Sequence, residues 1–231
     1  MLELAASDWM AINLSLRVAT IATIVATPLA IAVGWLLARR DFYGKAVLDA
    51  LVYLPLVLPP VVTGYLLLLT FGRKGLVGAW LADNLGIVFA FRWTGAALAC
   101  GVMAFPLLVR PIRLSIEAID RKLEQAASTL GASPWRVFLT VTLPLALPGI
   151  VAGMVLGFAK AIGEFGATIT FVSNIPGETQ TISSAIYSLT QTPNGDAAAL
   201  RLVVISIAIA MTALIVSEIL ARRATRRIHG S

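Results

Sequence analysis

The sequence predicts an all-α, polytopic bundle of transmembrane helices, and three observations lead there. Of its 231 residues, 58% are hydrophobic and 13% charged, whereas soluble domains carry roughly a quarter charged residues. The apolar residues gather into uncharged runs long enough to cross a bilayer, which takes about 20 residues. Proline and glycine recur inside those runs, a habit of membrane helices.

Taken in order, the first run covers residues 18–38, carries Pro28 and Gly34, and ends at Arg39-Arg40 as a stop-transfer signal does. The second, residues 50–72, holds Pro55, Pro59 and Pro60. The third, residues 93–109, holds Pro106 and Cys100, and the fourth, residues 137–159, holds Pro144 and Pro148. A fifth, residues 202–217, reaches spanning length if 197–200 joins it across Arg201. About five spans are therefore expected, with the termini on opposite sides.

Charge sets the direction. With the amino terminus outside, the cytoplasmic side receives Arg39, Arg40, Lys45, Arg110, Arg113, Arg121, Lys122, Arg136, Arg222, Arg223, Arg226 and Arg227. Arg17, Arg73, Lys74, Arg92, Lys160 and Arg201 remain outside or at outer span ends. Basic residues favour the cytoplasmic side, and the acidic head Glu3/Asp8 agrees. The carboxyl terminus is therefore expected in the cytosol. No cleavable leader is expected, because the head lacks a basic region and the first run is too long. The net charge of +6 follows this topology. It forms no aromatic-interleaved basic groove, so nucleic acid is not an expected partner.

Proline removes a backbone donor and bends a helix, so the prolines serve either as hinges or as elements that shape the bundle. Gly149, Gly153 and Gly157 share one face of the fourth span and permit close helix approach, within the chain, across a dimer, or as ordinary packing. Chemistry is scarce. Cys100 is the only cysteine and His229 the only histidine, which excludes an intrachain disulfide and a multi-histidine metal site. A membrane-embedded enzyme would need a nucleophile with its base, or a pair of acids at span depth, and neither pattern is present.

Two segments do not span. Residues 160–195 carry a short apolar piece (165–175), hydroxyls at Thr179, Thr181, Ser183 and Ser184, and turn signals at Asn174-Ile175-Pro176-Gly177 and Thr192-Pro193-Asn194-Gly195. They read as an outer re-entrant or surface excursion with a short helix over 182–189. Lys160 and Glu164 sit four apart at its start, as a structural pair that helps the chain turn or as a gate. Arg17 is expected to reach up to the outer headgroups, and Glu218 to pair with Arg222.

The second segment, residues 110–136, is a cytoplasmic island. Asp120 is a helix cap, and Leu123, Ala126, Ala127 and Leu130 fall on one face. Gly131 suits the position past the helix end, and Ser133-Pro134 begins the next helix. The small-residue stripe suits a protein groove better than lipid headgroups.

The island, Gln125-Ala126-Ala127 through Gly131 to Val141-Thr142-Leu143-Pro144, resembles the Glu-Ala-Ala…Gly…Ile-x-Leu-Pro loop of bacterial ATP-driven importer permeases. It departs at Gln125, where the family carries Glu with Glu124 just before it here, and at Val141 for Ile. The runs 54–65, with Leu58-Pro59-Pro60-Val61, and 163–179, with Gly163-Glu164-Phe165-Gly166, are similar to those of molybdate importer permeases, and the likeness covers nearly the whole chain. Sulfate and tungstate permeases share part of it.

The resemblance implies a single permease domain over 1–231 of the type I importer kind, in the bacterial inner membrane. It implies as partners a second copy of the chain, two cytosolic ATP-binding-cassette subunits and a periplasmic molybdate-binding protein, all set among membrane lipid. Leu123, Glu124, Gln125, Ala126, Ala127, Leu130, Gly131, Leu143 and Pro144 are the expected coupling residues. Pro59, Pro60, Thr63, Lys160, Glu164, Thr168 and Ser173 are the pathway or gate candidates. No Gly-rich phosphate loop occurs in the chain, so no cofactor is expected on it, and ATP and Mg belong to the partner. A docking or assembly subunit that moves no solute is the alternative from another class.

Overall fold

The computed structural model describes residues 5–229, and the side chains of all of these except 217, 218 and 220–229. Glu3, the pair expected between Glu218 and Arg222, the basic tail and Ser231 thus fall outside the described residues or side chains.

Every element is helical among the described residues. Helix α1 (Ala6–Arg39) has 34 residues, about 50 Å at 1.5 Å per residue, and starts well before residue 18. The polar residues that interrupt the apolar run are buried against protein. Asp8 lies 3.8 Å from Arg201, and Ser15 Oγ accepts the Ile182 N–H at 2.7 Å. Arg17 is exposed and leans onto an aromatic ring. Its guanidinium sits 3.9 Å above the Trp93 ring, a cation–π contact.

The second span is not continuous. It divides into α2 (Lys45–Val57) and α3 (Pro60–Phe71), bent by 115°. Leu58 and Pro59 are extended, with ψ of 143° and 134°. A residue before proline is pushed out of the helical region, and two successive prolines supply no N–H to continue the ladder. A ten-residue helix the sequence reading did not anticipate, α4 (Leu76–Leu85), follows.

Helix α5 (Trp93–Glu117) extends the third span past residue 109. Then come α6 (Arg121–Thr129), the four-residue α7 (Pro134–Val137), one π-helical turn over Phe138–Thr142, and α8 (Leu143–Ile162). The fourth span is thus an apolar helical stretch over Pro134–Ile162. Pro144 explains the π turn: it has no N–H for the preceding turn, and the Leu143 N–H bonds Phe138 O instead. Among the described residues four helices are long and apolar enough to cross a membrane, which makes up to five spans if the bent pair counts as one.

Helices α1, α5 and α8 form the centre. An inner cluster joins Ala30, Leu37, Leu108, Ile112, Ile116, Ala146 and Ile150, with Val52 of α2. An outer cluster joins Val18, Ala19, Ala22, Ala96, Ala99, Cys100 and Met103 with Leu67 of α3. The bent pair therefore reaches from one core to the other. Glycine makes the α5–α8 approach possible. A Cβ on Gly153 would stand 2.8 Å from Leu108 O, and one on Gly149 would collide with Ser115. The glycine stripe serves contact within the chain.

The outer segment folds as α9 (Gly166–Val172) and α10 (Ile182–Thr190), before α11 (Asp196–His229). At seven residues α9 is too short to cross, as expected. Ala167, Phe171 and Val172 are fully buried in the outer cluster. The short helix expected over 182–189 is present as α10, and α11 runs unbroken through Arg201.

Candidate functional site

The cytoplasmic island is built from its caps inward. Asp120 accepts the Lys122 N–H at 2.9 Å, which satisfies one orphan donor at the α6 N-terminus. At the other end Gly131 has φ +86°. The Ala132 N–H reaches Ala127 O at 3.2 Å and the Gly131 N–H reaches Ser128 O at 3.0 Å, the paired bonds of a left-handed glycine stop. Ser133 accepts the Arg136 N–H and Pro134 opens α7.

No residue of α6 is buried, so apolar packing does not hold it. Directional contacts do. Glu124 forms an ion pair with Arg39 Nε at 3.1 Å and accepts from Thr142 Oγ1 at 2.7 Å, while Arg39 Nη2 donates to Ile119 O at 3.2 Å. Arg39 and Glu124 are only 8% and 19% exposed, a partly dry site where removing one partner strands the other. Glu124 is thus turned inward, toward α1 and the π turn, and Leu143 and Pro144 lie half-buried in the turn that places Thr142. The anchor was not legible: Arg39 and Glu124 stand 85 residues apart, and no local pattern links them.

At about 100° per residue, α6 divides into two faces. Leu123, Ala126 and Leu130 project together, with Leu123 50% and Leu130 89% exposed, and Ala127 half-buried beside them. Trp135, on α7, is also largely exposed. The opposite face carries Arg121, Gln125 and Ser128, which line a groove with Trp35, Arg39 and Arg40 of α1.

Some of the pathway candidates gather where α3 touches α9. A Cβ on Gly64 would stand 2.5 Å from Ala167 O, and one on Gly166 2.7 Å from the Pro60 Cβ. Pro59 precedes α3 as its cap and Pro60 is its first residue. Thr63 Oγ1 is buried with no hydrogen-bond partner. Glu164, 2% exposed, accepts the Ala167 N–H at 2.9 Å and pairs with Lys160 at 2.7 Å. The pair turns the chain from α8 into α9. Thr168 is buried and donates to Phe165 O. Ser173 stands apart at the far end of α9, exposed, at φ +64°.

Other polar contacts went unforeseen. Arg113 binds both Asp49 at 2.6 Å and Glu117 at 2.8 Å, tying α2 to α5. Only the Arg113–Glu117 part has the four-residue spacing that a sequence displays.

Comparison with known proteins bears on this arrangement. Residues 30–226 match the family model described as binding-protein-dependent transport system inner membrane component. The chain is 60% identical to the molybdenum transport system permease protein ModB of Escherichia coli K12, over 95% of this chain and 96% of that one. It is 57% identical to the protein of that name from Haemophilus influenzae, over 94% and 95% respectively. Among solved structures, a bacterial ABC transporter that imports the acidic polysaccharide alginate aligns with a TM-score of 0.74 at 18% identity, covering 95% of this chain and 80% of that one. The inward-facing MetNI methionine ABC transporter aligns with a TM-score of 0.70 at 14% identity, covering 95% of each chain. At those identities the structural likeness carries the fold alone.

Proposed function

The chain belongs to the family of binding-protein-dependent transport system inner membrane components and is a permease subunit of a molybdate ABC importer, and we propose that two copies form its alternating-access pathway. Its relatives are transport permeases rather than enzymes. In this reading ATP hydrolysis comes from two cytosolic partner subunits, with their own ATP and Mg, and a periplasmic binding protein delivers the anion. The assembly sits in the bacterial inner membrane.

One observation carries the reading. Helix α6 exposes an apolar stripe while buried contacts among Arg39, Glu124 and Thr142 fix its base. An unburied helix held this rigidly transmits force without melting. Docked in a groove of the ATPase, it would turn closure of the two ATPases into a rigid-body rotation of α1, α5 and α8.

A doubly charged oxyanion cannot cross hydrocarbon unpaired, so the path between the copies must be polar. The α3–α9 contact supplies the unpartnered Thr63 hydroxyl, and Lys160, 28% exposed, stands at the end of α8. One lysine already paired with Glu164 gives a shallow site, suited to passage rather than retention.

The test uses vesicles holding this chain, its ATPase and the binding protein. ATP-dependent accumulation of molybdate is expected, with sulfate and tungstate as competitors. Gly131→Asp and Ala127→Phe should keep the assembled fold but lower uptake per ATP hydrolysed. Unchanged uptake in both variants removes α6 from the mechanism.

A further inference from the structure

The face of α6 turned away from the docking stripe closes a groove of about 520 Å³ against the cytoplasmic ends of α1 and α7. We propose that this groove holds the phosphate headgroup of an anionic phospholipid of the inner leaflet. Its wall carries Arg39, Arg40 and Arg121 against one acid, Glu124, and Arg39 already neutralises Glu124. Arg40 and Arg121 have no carboxylate within ion-pair distance among the described residues. The nearby acids are engaged: Asp41 is hydrogen-bonded to Lys45 at 2.8 Å, and Asp120 caps its own helix.

The rest of the groove suits the depth at which a headgroup lies. Trp35 packs edge-on to Phe138 with centroids 6.1 Å apart, and Trp135 stacks on Phe138 at 5.6 Å. Aromatic rings gather at the membrane–water boundary. Arg40 sits 5.7 Å over the Trp35 ring, which holds its guanidinium at that boundary. Ser128 and Thr129 spend their hydroxyl protons on Glu124 O and Ala126 O, which leaves the two guanidinium groups, the Gln125 amide and the Trp35 indole N–H as side-chain donors for a phosphate. Basic pockets on the cytoplasmic side of membrane helices take anionic headgroups in this way. The site is independent of what α6 docks on, because it uses the opposite face.

The experiment measures retained lipid on the complete transporter, this chain with its ATPase subunits, extracted from vesicles of equal phosphatidylglycerol and phosphatidylethanolamine. Native mass spectrometry should find phosphatidylglycerol enriched on the wild type. R40Q/R121Q should lower that enrichment by roughly fivefold per arginine removed, and R40K/R121K should restore most of it. Both arginines are exposed, so the variants should assemble, and R40Q alone gives a second, milder readout. R73Q/K74Q, an equal loss of charge on the outer side, should change nothing. Enrichment unaffected by R40Q/R121Q, or reduced equally by R73Q/K74Q, overturns the proposal. Displacement of the lipid by inorganic phosphate alone would identify a free-anion site and also overturn it. Enrichment seen only after the ATPase subunits are stripped away would overturn it too, by assigning the groove to the partner.

Discussion

Two non-spanning regions carry short helices at opposite ends of the bundle, and they are held by opposite means. On the outer side α9 and α10 are buried: Ala167, Phe171, Val172 and Ile182 have no exposed surface, and glycine at positions 64 and 166 lets backbones touch. On the cytoplasmic side α6 buries nothing and depends on one ion pair and one hydroxyl. Burial on the outer side makes those helices part of the fold. Exposure on the inner side leaves α6 a free apolar surface held in place by directional contacts, and the proposed docking rests on that surface.

That contrast can be broken at its strongest point first. Gly64→Leu drives a side chain into Ala167 backbone, which cannot move aside, and should cost about 3 kcal/mol or more, the upper end of overpacking. Loss of monodisperse protein on size-exclusion chromatography is expected, and a normally folded variant would show that the outer region is not packed as described. Glu124→Ala leaves Arg39 without its carboxylate in a partly dry site, an effect of about 2–3 kcal/mol. Because it acts on the attachment of α6, the bundle should still assemble while molybdate uptake falls at least tenfold. A uniform drop in thermal midpoint with coupling intact would contradict the anchoring role.

A smaller change sharpens the outer half. Ser15→Ala strands the buried Ile182 N–H and should cost about 1–2 kcal/mol, read as a lower unfolding midpoint with uptake per folded molecule unchanged. The last test has no energetic signature. Cysteine at Ser7 should react with an impermeant reagent only from outside and cysteine at Ser231 only from inside. Reaction of both from one face would give an even span count, with residues 165–175 spanning.

Much of this architecture was legible because the rules behind it act locally. The caps of α6 at Asp120 and Gly131 and the Ser133-Pro134 start of α7 need only neighbouring residues, and each forms as the sequence implied. The stripe of Leu123, Ala126 and Leu130 follows from helical periodicity. The start of α1 was misplaced because a hydropathy reading takes Asp8 and Ser15 as solvated, whereas they face Arg201 and the α10 N-terminus. The second span was read as one proline-bent crossing because its composition is uniformly apolar. Composition carries no angle, although Pro59-Pro60 marked where a break would fall.

From its residues alone the chain was bound to be a multi-helix membrane protein with basic cytoplasmic ends and one capped helix between two spans. Apolar run length, charge placement and backbone preference act within a few turns and require no knowledge of neighbours. The inward turn of Glu124 onto Arg39, the use of the glycine stripe within the chain and the arginine groove behind α6 were decided only by packing, as was the 115° that the proline break adopts. The first three join groups far apart in sequence, and whether two such groups meet depends on where the intervening helices come to rest.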